Sequence, residues 1–359
     1  MKAQLKPRIN LDGRTPLETV IPLSTPFIVF VDPASSCNFK CRFCPTGHRD
    51  MIAETGRFQG VMKYETFQKV VDDLGAFDKP IKVLRLYKDG EPFLNKRLAD
   101  MVRYAKKAKH IEYIDTTTNG TFLSPERIGP VLEAGLNKIN ISVDGMDVET
   151  YQHFTGFDFD FDRFVENVRW LYANKGNCEV VVKIPGELVT DEQRQRFFDT
   201  FGDHCDRIFV ENFAPCWPQF DIEKHTGIKI TKGIYQQDVG DTDTCPYIFY
   251  GYSVNSDGQV SSCFLDWERK LVIGDVRQQS MKDIWNSDRM NALRLQHLEG
   301  RRRENSVCGQ CGQLSHCLPD NIDAHRPMLL ARFKKIVRID PDVAPPGGPA
   351  RKVPSVAAE

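Results

Sequence analysis

Six short β-prone runs, separated by amphipathic helical patterns, follow one another through the first 212 residues of the chain. They lie at 26–32, 81–87, 111–117, 137–144, 178–184 and 206–212. Regular strand–helix alternation predicts a parallel sheet, because each helix carries the chain back to begin the next strand in the same direction. Six such units with right-handed crossovers favour an α/β fold, either a partial (β/α)6 TIM-like barrel or an open doubly wound sheet.

Two of the predicted helices carry clear capping signals. Ser124 followed by Pro125 predicts an N-cap and a first helical position, and Thr190 with Gln193 predicts a capping box. In parallel α/β folds the chemistry collects at the carboxyl ends of the strands. Residues that directly follow a predicted strand are therefore the first candidates for a functional site.

The pattern changes after about residue 220, where the alternation stops and a second set of cysteines begins. We interpret this part as a smaller, cysteine-rich module. The predicted organisation is an N-terminal extension, a barrel core, the cysteine-rich module and a C-terminal tail, at 1–24, 25–218, 219–330 and 331–359. The last part of the tail is rich in Pro, Gly and Ala and is expected to be disordered.

Composition and charge argue against nucleic acids and membranes as partners. The 359 residues include 48 Lys and Arg against 49 Asp and Glu, for a net charge of −1. Such a chain has no overall attraction to polyanions or membrane surfaces, and the basic run at 301–303 is interpreted as a solvated helix end. No run of about 18 apolar residues and no apolar signal segment occurs, so a cytoplasmic protein is expected.

Eleven cysteines are a high count, and in a reducing compartment clustered cysteines indicate metal binding or catalysis. Cys37, Cys41 and Cys44 form a C-x3-C-x2-C pattern just after the first predicted strand. They could form a disulfide with one thiol left over, or hold a zinc ion with a fourth ligand such as His48. They could also hold a 4Fe–4S cluster through three protein ligands, which leaves one iron open for chemistry.

This cysteine pattern, with the aromatic Phe43 before its last cysteine, resembles the signature of the radical S-adenosylmethionine (radical SAM) enzymes. The resemblance implies that Cys37, Cys41 and Cys44 bind a 4Fe–4S cluster whose open iron is chelated by S-adenosylmethionine. Reductive cleavage of this cofactor yields a 5′-deoxyadenosyl radical, which abstracts a hydrogen atom from the substrate. Phe43 is then expected near the adenine, and a flavodoxin or ferredoxin is the expected electron donor.

A second stretch, YKDGEPFLN at the end of the second of the six predicted strands, resembles the GGEP motif of the same family. Gly90, Glu91 and Pro92 match the motif, whereas Asp89 stands in place of its first glycine. The resemblance implies that this loop receives the methionyl ammonium group, for which Glu91 is the charged partner.

Two more strand ends resemble family motifs and extend the resemblance over about residues 25–215. TTNG at 117–120 contains Asn119, and ISVDG at 141–145 contains Ser142 and Asp144. Ser142 and Asp144 share one face of their strand, because side chains alternate along a strand. The resemblance implies that these polar groups contact the ribose or carboxylate of S-adenosylmethionine.

The second cysteine set resembles the SPASM and twitch modules, which carry auxiliary 4Fe–4S clusters. Cys245 begins a C-x12-G-x4-C pattern that ends at Cys263, and CGQCGQLSHC supplies Cys308, Cys311 and Cys317. No cysteine follows Cys317, so one auxiliary cluster is expected rather than two. Its expected ligands are the first four of these cysteines, with Cys317 as a substitute for one of them, and the alternative is a zinc ribbon.

The leading functional prediction is a radical SAM oxidoreductase that oxidises a carbinol of a small sugar or aminocyclitol, with the auxiliary cluster accepting the second electron. One alternative is an epimerase in which Cys216 or Cys317 returns a hydrogen atom; others are a radical maturase of a ribosomally made peptide and a non-enzymatic metal-binding scaffold. Only about 25 residues precede the first predicted strand, which favours a small substrate over a peptide. The sequence singles out no general base among Lys183, Glu187 and Glu211.

Overall fold

A computed structural model describes residues 1–9, 12–340 and 342–348. Its centre is a ten-stranded sheet with the order β1-β7-β6-β5-β4-β3-β2-β8-β9-β10. The strands are β1 Gln4–Leu5, β2 Ile28–Val31, β3 Ile81–Arg85, β4 Ile111–Thr118, β5 Lys138–Ser142, β6 Glu179–Pro185, β7 Arg207–Glu211, β8 Gly251–Val254, β9 Gln259–Ser261 and β10 Val272–Asp275.

The six predicted strands are confirmed as β2 to β7, and each pairs in parallel with the next. Helices connect them in the order that the alternation predicts, which gives the partial barrel. The helices are α1 Leu17–Val20, α2 Arg49–Thr55, α3 Tyr64–Leu74, α4 Leu98–Lys107, α5 Pro125–Glu133, α6 Val148–Thr155, α7 Phe161–Asn174, α8 Asp191–Phe201, α9 Ile222–Thr226, α10 Tyr247–Tyr250, α11 Met281–Trp285, α12 Asp288–Leu298, α13 Gln313–His316 and α14 Arg326–Ile336.

Local sequence signals explain how these helices begin. Ser124 occupies the predicted N-cap position of α5 with Pro125 as the first helical residue, but its side chain makes no capping hydrogen bond. Thr190 and Gln193 exchange both bonds of the predicted capping box at the start of α8. Each bond satisfies a backbone or side-chain group that the first helical turn would otherwise leave without a partner.

The cysteine-rich part continues the sheet of the barrel. Strand β8 pairs in parallel with β2, with Ile28 opposite Gly251 and Val31 opposite Val254, and β9 and β10 then extend the sheet in antiparallel. Tyr252 belongs to the same hydrophobic core as the barrel helices. The strand–helix periodicity does not predict this pairing, because β8 is a single short strand outside the repeating strand–helix units.

The division into four segments stays a prediction. Helix α14 runs across the boundary expected at residue 330 and buries Leu329 and Phe333 in the main core. The tail end that is expected to be disordered, from residue 349 onward, lies outside the described residues.

The N-terminal segment is part of the barrel wall. Strand β1 pairs in parallel with β7, the last barrel strand, and Lys138 at the start of β5 donates a hydrogen bond to the carbonyl of Arg8. Further on, Arg14 forms an ion pair with Asp320 at 3.0 Å. The segment therefore contacts both β5 and the cysteine-rich part.

No helix among the residues that the structure describes is long and apolar enough to cross a membrane.

The aromatic cluster beneath α7 and α8 gives a test of core packing. Phe201 is fully buried, with its ring centroid 5.8 Å from that of Phe164. Phe201→Ala should lower the free energy of unfolding by about 3–5 kcal/mol, because a cavity replaces the ring. The half-buried Phe198 on the same helix is the control, and Phe198→Ala should cost less than half as much. Equal losses in denaturant unfolding would contradict this packing.

Candidate functional site

The first cysteine loop leaves the carboxyl end of β2 and is held tightly to its surroundings. The amide of Lys40 donates to the carbonyl of Thr155 at 2.7 Å, which ties the loop to the end of α6. A Cβ on Gly47 would lie 2.2 Å from the carbonyl oxygen of Cys41, so the loop closes on itself at a position that only glycine fits. These contacts fix the position of all three cysteines.

Cys37, Cys41 and Cys44 are free, partly buried thiols. Burial raises the pKa of Cys37 to about 12 and raises the pKa of Cys41 well above its ordinary value, and neighbouring thiols add to both increases. Three thiolates could coexist here only with a cationic centre that compensates their charge. His48 donates from its Nε2 to the carbonyl of Arg42 at 3.0 Å instead of joining them.

The DGEP loop packs directly against the cysteine loop. A Cβ on Gly90 would lie 2.0 Å from the carbonyl oxygen of Ser36 and 2.5 Å from that of Ala34. The amide of Glu91 donates to the same Ser36 carbonyl at 3.0 Å. Gly90 is therefore required for the close approach of two backbones, and Pro92 begins the short helical turn that follows.

The carboxylate of Glu91 links the ends of β3 and β4. It accepts hydrogen bonds from the amide of Phe93 at 3.0 Å, the hydroxyl of Thr118 at 2.8 Å and the amide of Asn119 at 2.8 Å. Burial raises the pKa of Glu91 to about 7, although these three donors oppose the rise. Glu91 thus positions the two loops, and its expected contact with the methionyl ammonium group stays a prediction.

Asn119, Ser142 and Asp144 lie at neighbouring strand ends. The Asn119 amide nitrogen is 3.8 Å from the sulfur of Cys37. The Asp144 backbone amide donates to the hydroxyl of Tyr151 at 3.0 Å, and burial raises the pKa of its carboxyl to about 6. Ser142 is half-buried at the end of β5.

Phe43 lies between the barrel and the residues that follow it. Its ring centroid is 4.8 Å from that of Phe213. It also packs against a small hydrophobic cluster that includes Phe220 and Trp267. The predicted contact between Phe43 and the adenine stays a prediction.

Four cysteines of the second set form one group. Burial raises the pKa of Cys245, Cys263 and Cys311 to about 12 and raises that of Cys308 well above its ordinary value, and in each case another thiol of the group adds to the increase. The group therefore offers four sulfur donors, as a fully protein-ligated 4Fe–4S cluster requires.

Two basic side chains support the four-cysteine group. Arg302 is 5% exposed and donates to the carbonyls of Asp243, at 2.6 Å, and Cys308. The interpretation of residues 301–303 as a solvated helix end is therefore wrong for the middle arginine, which faces the cysteines. His297 is fully buried and its Nδ1 accepts from the amide of Cys245 at 3.3 Å.

Cys317 and Cys216 lie beside the four-cysteine group, near Cys311. The thiol of Cys317 donates to the side chain of Gln313 at 3.3 Å. Burial raises the pKa of Cys317 to about 12, an effect that the nearby Arg8 opposes and that Glu211 and Cys311 strengthen. Cys317 therefore neighbours both Cys311 and the Arg8–Glu211 ion pair, and its predicted role as a substitute ligand stays a prediction.

The carbonyl of Cys216 accepts from the thiol of Cys311 at 3.6 Å. Burial raises the pKa of Cys216, and Cys317 and Cys44 add to the rise. Cys216 thus lies between the first cysteine loop and the second set.

Asp89, which departs from the family motif, anchors a buried charge network. Its carboxylate forms ion pairs with Lys88 at 2.9 Å, with Arg57 at 3.6 Å and with Arg269. The side chains of Asp89, Lys88 and Arg57 have no exposed surface. Asp89 also donates its amide to Asp32 at 3.2 Å. One carboxylate therefore joins three cations from three separate parts of the chain.

This network connects the two cysteine groups. Burial raises the pKa of Cys44, and Arg57 opposes that rise. Burial likewise raises the pKa of Cys263 to about 12, and Lys88 opposes it. Because Arg57 and Lys88 share Asp89, the first cysteine loop and the second cysteine group are tied through one buried ion-pair cluster.

Comparison with known proteins identifies the class to which this fold and site belong. Residues 31–201 match the model of the radical SAM superfamily, and residues 245–312 match that of SPASM, an iron–sulfur cluster-binding domain. Together these models match well over half of the sequence. The chain belongs to the radical SAM superfamily and carries a C-terminal SPASM module. It is accordingly a radical SAM enzyme whose cofactors are 4Fe–4S clusters and S-adenosylmethionine.

Relatives of known activity differ from one another in reaction. An AdoMet-dependent heme synthase of Methanosarcina barkeri is 22% identical, over 82% of this chain and 90% of the relative. A cofactor-modifying protein of the tungsten-containing aldehyde ferredoxin oxidoreductase of Pyrococcus furiosus is 25% identical, over 74% and 83%. A GTP 3′,8-cyclase of Vibrio vulnificus is 33% identical, but the match covers 33% of this chain and only 34% of the cyclase.

Solved structures share the fold at low sequence identity. BtrN in complex with AdoMet and 2-DOIA is 19% identical with a TM-score of 0.53, over 82% of this chain and 97% of BtrN. SuiB of Streptococcus suis is 15% identical with a TM-score of 0.58, over 82% of this chain and 72% of SuiB.

The donor sets fit these cofactors. The first loop offers three thiols beside polar strand ends, and the second group offers four thiols next to the buried Arg302. The SPASM match ends at residue 312, before Cys317. Which cysteine holds which iron stays a prediction.

Sequence reasoning missed the residues that support the cysteines. Arg57, Lys88, Arg269, Arg302 and His297 act through contacts between distant parts of the chain, and none belongs to a recognised motif. The one available signal was Asp89, since a carboxylate in place of a motif glycine requires a cationic partner when it is buried.

Replacement of the central carboxylate tests the charge network. Asp89→Asn should destabilise the protein by about 3–5 kcal/mol, because three buried cations lose their shared partner. The measurement is the free energy of unfolding in denaturant. Asp100→Asn is the control and should change it by less than about 0.5 kcal/mol, since Asp100 is 39% exposed in its ion pairs with Arg97 and Arg103. A similar small effect for both variants would refute the structural role of Asp89.

The close contact of Gly90 with the cysteine loop gives a second test. Gly90→Ala should displace the loop and reduce the iron content of anaerobically reconstituted protein from about eight to about four per chain, as a single lost 4Fe–4S cluster would. Gly129→Ala is the control, because a Cβ there lies 3.6 Å from its nearest neighbour. Full iron content in Gly90→Ala would show that the loops do not depend on this contact.

Proposed function

We propose that this radical SAM enzyme oxidises a carbinol carbon of a small, hydroxylated substrate of the sugar or aminocyclitol type. The observation that carries the proposal is the polar character of the barrel interior near the strand ends. Lys183 on β6 and Glu211 at the end of β7 form an ion pair there, and Lys183 also opposes the burial-induced rise in the pKa of Asp144. Charged groups inside the barrel, close to the strand ends, can form hydrogen bonds with a substrate that is rich in hydroxyl groups.

The four-cysteine group supports oxidation as the outcome. When bound, the two clusters and S-adenosylmethionine supply a 5′-deoxyadenosyl radical and a one-electron acceptor. The substrate would lose a hydrogen atom from carbon, then a proton from its hydroxyl and one electron, and become a ketone. Glu211 would receive the proton, because the ion pairs with Lys183 and Arg8 keep its carboxylate ionised and so able to accept one.

Epimerisation is the second candidate, and the position of Cys317 favours it. This thiol lies near Arg8 and Glu211, at the side of Cys311. A thiol that faces the barrel could return a hydrogen atom to a substrate radical. Peptide modification remains a third candidate, since the fold is shared with SuiB bound to its precursor peptide SuiA as well as with BtrN bound to 2-DOIA.

Separate cysteine variants distinguish oxidation from epimerisation. The reconstituted enzyme, with flavodoxin or dithionite as the reductant, is incubated with a panel of aminocyclitols, hexoses and hexuronates in D2O. We expect 5′-deoxyadenosine and a product two mass units lighter from the wild type. Cys44→Ala should form neither. Cys263→Ala should keep 5′-deoxyadenosine formation but lose the oxidised product, whereas Cys317→Ser should keep both.

The opposite pattern would support epimerisation and remove the oxidation proposal. In that case the product carries one deuterium from solvent, Cys317→Ser loses it and Cys263→Ala retains it. If no member of the panel is converted but a precursor peptide is, the substrate class is wrong.

A further inference from the structure

Four buried polar atoms in the interior of the partial barrel have no hydrogen-bond partner among the described residues. They are Nε of Arg8, Nε of Arg85, Oδ1 of Asp115 and Oδ1 of Asn140. A buried polar group without a partner costs about 1–3 kcal/mol. Such groups, when they occur together, indicate a site that is completed by a ligand or by ordered water.

Strand geometry places three of these side chains on the inner face of neighbouring strands. Arg85 is opposite Asp115 in the β3–β4 register, and Asn140 is opposite Thr117 in the β4–β5 register. The adjacent residues on the same strands, Leu84 and Ile114, lie in the hydrophobic core beneath the helices. Side chains alternate along a strand, so Arg85 and Asp115 point the other way, into the barrel.

Arg8 joins this group from the N-terminal segment. Its Nε lies 3.7 Å from Oε2 of Glu211. Burial raises the pKa of Asp115, and Arg85 and Arg8 both oppose the rise, so the two arginines approach the same carboxylate. The hydroxyl of Tyr87 accepts a hydrogen bond from Nη1 of Arg85 at 2.8 Å, which holds one end of the guanidinium in place.

The cations of the interior share their carboxylates. Lys183 and Arg8 share Glu211, Lys138 and Arg207 share Glu179, and Arg85 faces Asp115 at 3.7 Å. These ion pairs leave the Nε atoms of Arg8 and Arg85 without a hydrogen-bond acceptor. An oxyanion of a ligand would supply that acceptor.

We propose that Arg8, Arg85, Asp115 and Asn140 form a recognition floor that binds a hydroxylated small molecule carrying an oxyanion, either a carboxylate or a phosphate. The two arginines donate to the oxyanion, and the oxygens of Asp115 and Asn140 accept from hydroxyl groups. This inference rests on the proposed small hydroxylated substrate and narrows it. It also makes the N-terminal segment part of the active site, because Arg8 comes from outside the barrel strands.

Three glucose-type sugars that differ only at C6, where they carry a carboxylate, a phosphate ester or a neutral hydroxymethyl group, test the floor. Binding of glucuronate, glucose 6-phosphate and glucose to the reconstituted enzyme with S-adenosylmethionine is measured by calorimetry. We expect saturable binding of at least one of the two anions and at least tenfold weaker binding of glucose. Preference between the anions identifies the oxyanion as a carboxylate or a phosphate.

Matched arginine variants locate the binding. Arg85→Gln and Arg8→Gln should each weaken binding of the preferred anion at least tenfold, and Arg8→Lys should recover part of the loss. Arg103→Gln, at a side chain that is 45% exposed, should leave it unchanged. Iron content is measured for every variant, so that loss of fold or clusters is recognised, and Arg8→Lys then decides the role of that position.

The recognition floor is overturned if neither anion binds saturably, if glucose binds as tightly as the anions, or if both arginine variants with full iron content bind like the wild type. Binding without any oxidised product would leave the floor in place and remove the oxidation proposal. Oxidation of a neutral sugar that the arginine variants leave unaffected would support the oxidation proposal and overturn the recognition floor.

Discussion

The parallel pairing of β8 with β2 is the contact on which the arrangement of the site depends. Strand β2 leads into the first cysteine loop, and β8 leads through β9 to Cys263. The first cysteine loop leaves the carboxyl end of β2, whereas β9 runs antiparallel to β8 and brings Cys263 back alongside β8. Main-chain hydrogen bonds between β2 and β8 thus help to set the spacing of the two cysteine groups. The ion pairs of Asp89 with Arg57, Lys88 and Arg269 add side-chain contacts that maintain this spacing.

Burial gives the site its chemical character. Desolvation raises the pKa of thiols in both groups, so these cysteines stay protonated until a cationic centre stabilises their thiolate form. Arg302 and Lys88 contribute positive charge beside the second group. The barrel interior also contains buried charges, with Glu211 shared between two cations. Two buried cysteine groups and a charged barrel interior are therefore built on the same sheet.

Local patterns predicted the barrel well, because its signals lie within short segments. The pattern within each strand, the Thr190 capping box and the spacing of Cys37, Cys41 and Cys44 each depend on residues fewer than about ten apart. The position of β8, the burial of Arg302 and the contribution of Arg8 were not predictable in this way. Each depends on contacts between segments that are distant in the sequence. The sequence of a basic run does not show whether a given arginine is solvated or buried.

The central claim is that one chain holds two separate iron–sulfur sites. The most direct measurement is the iron and sulfide content of anaerobically reconstituted protein, for the wild type and for the triple variant Cys37→Ala/Cys41→Ala/Cys44→Ala. About eight irons that fall to about four in the variant are the predicted result, since each cubane cluster holds four. About four irons that fall to zero would contradict the second site, and stoichiometric zinc without iron would contradict both.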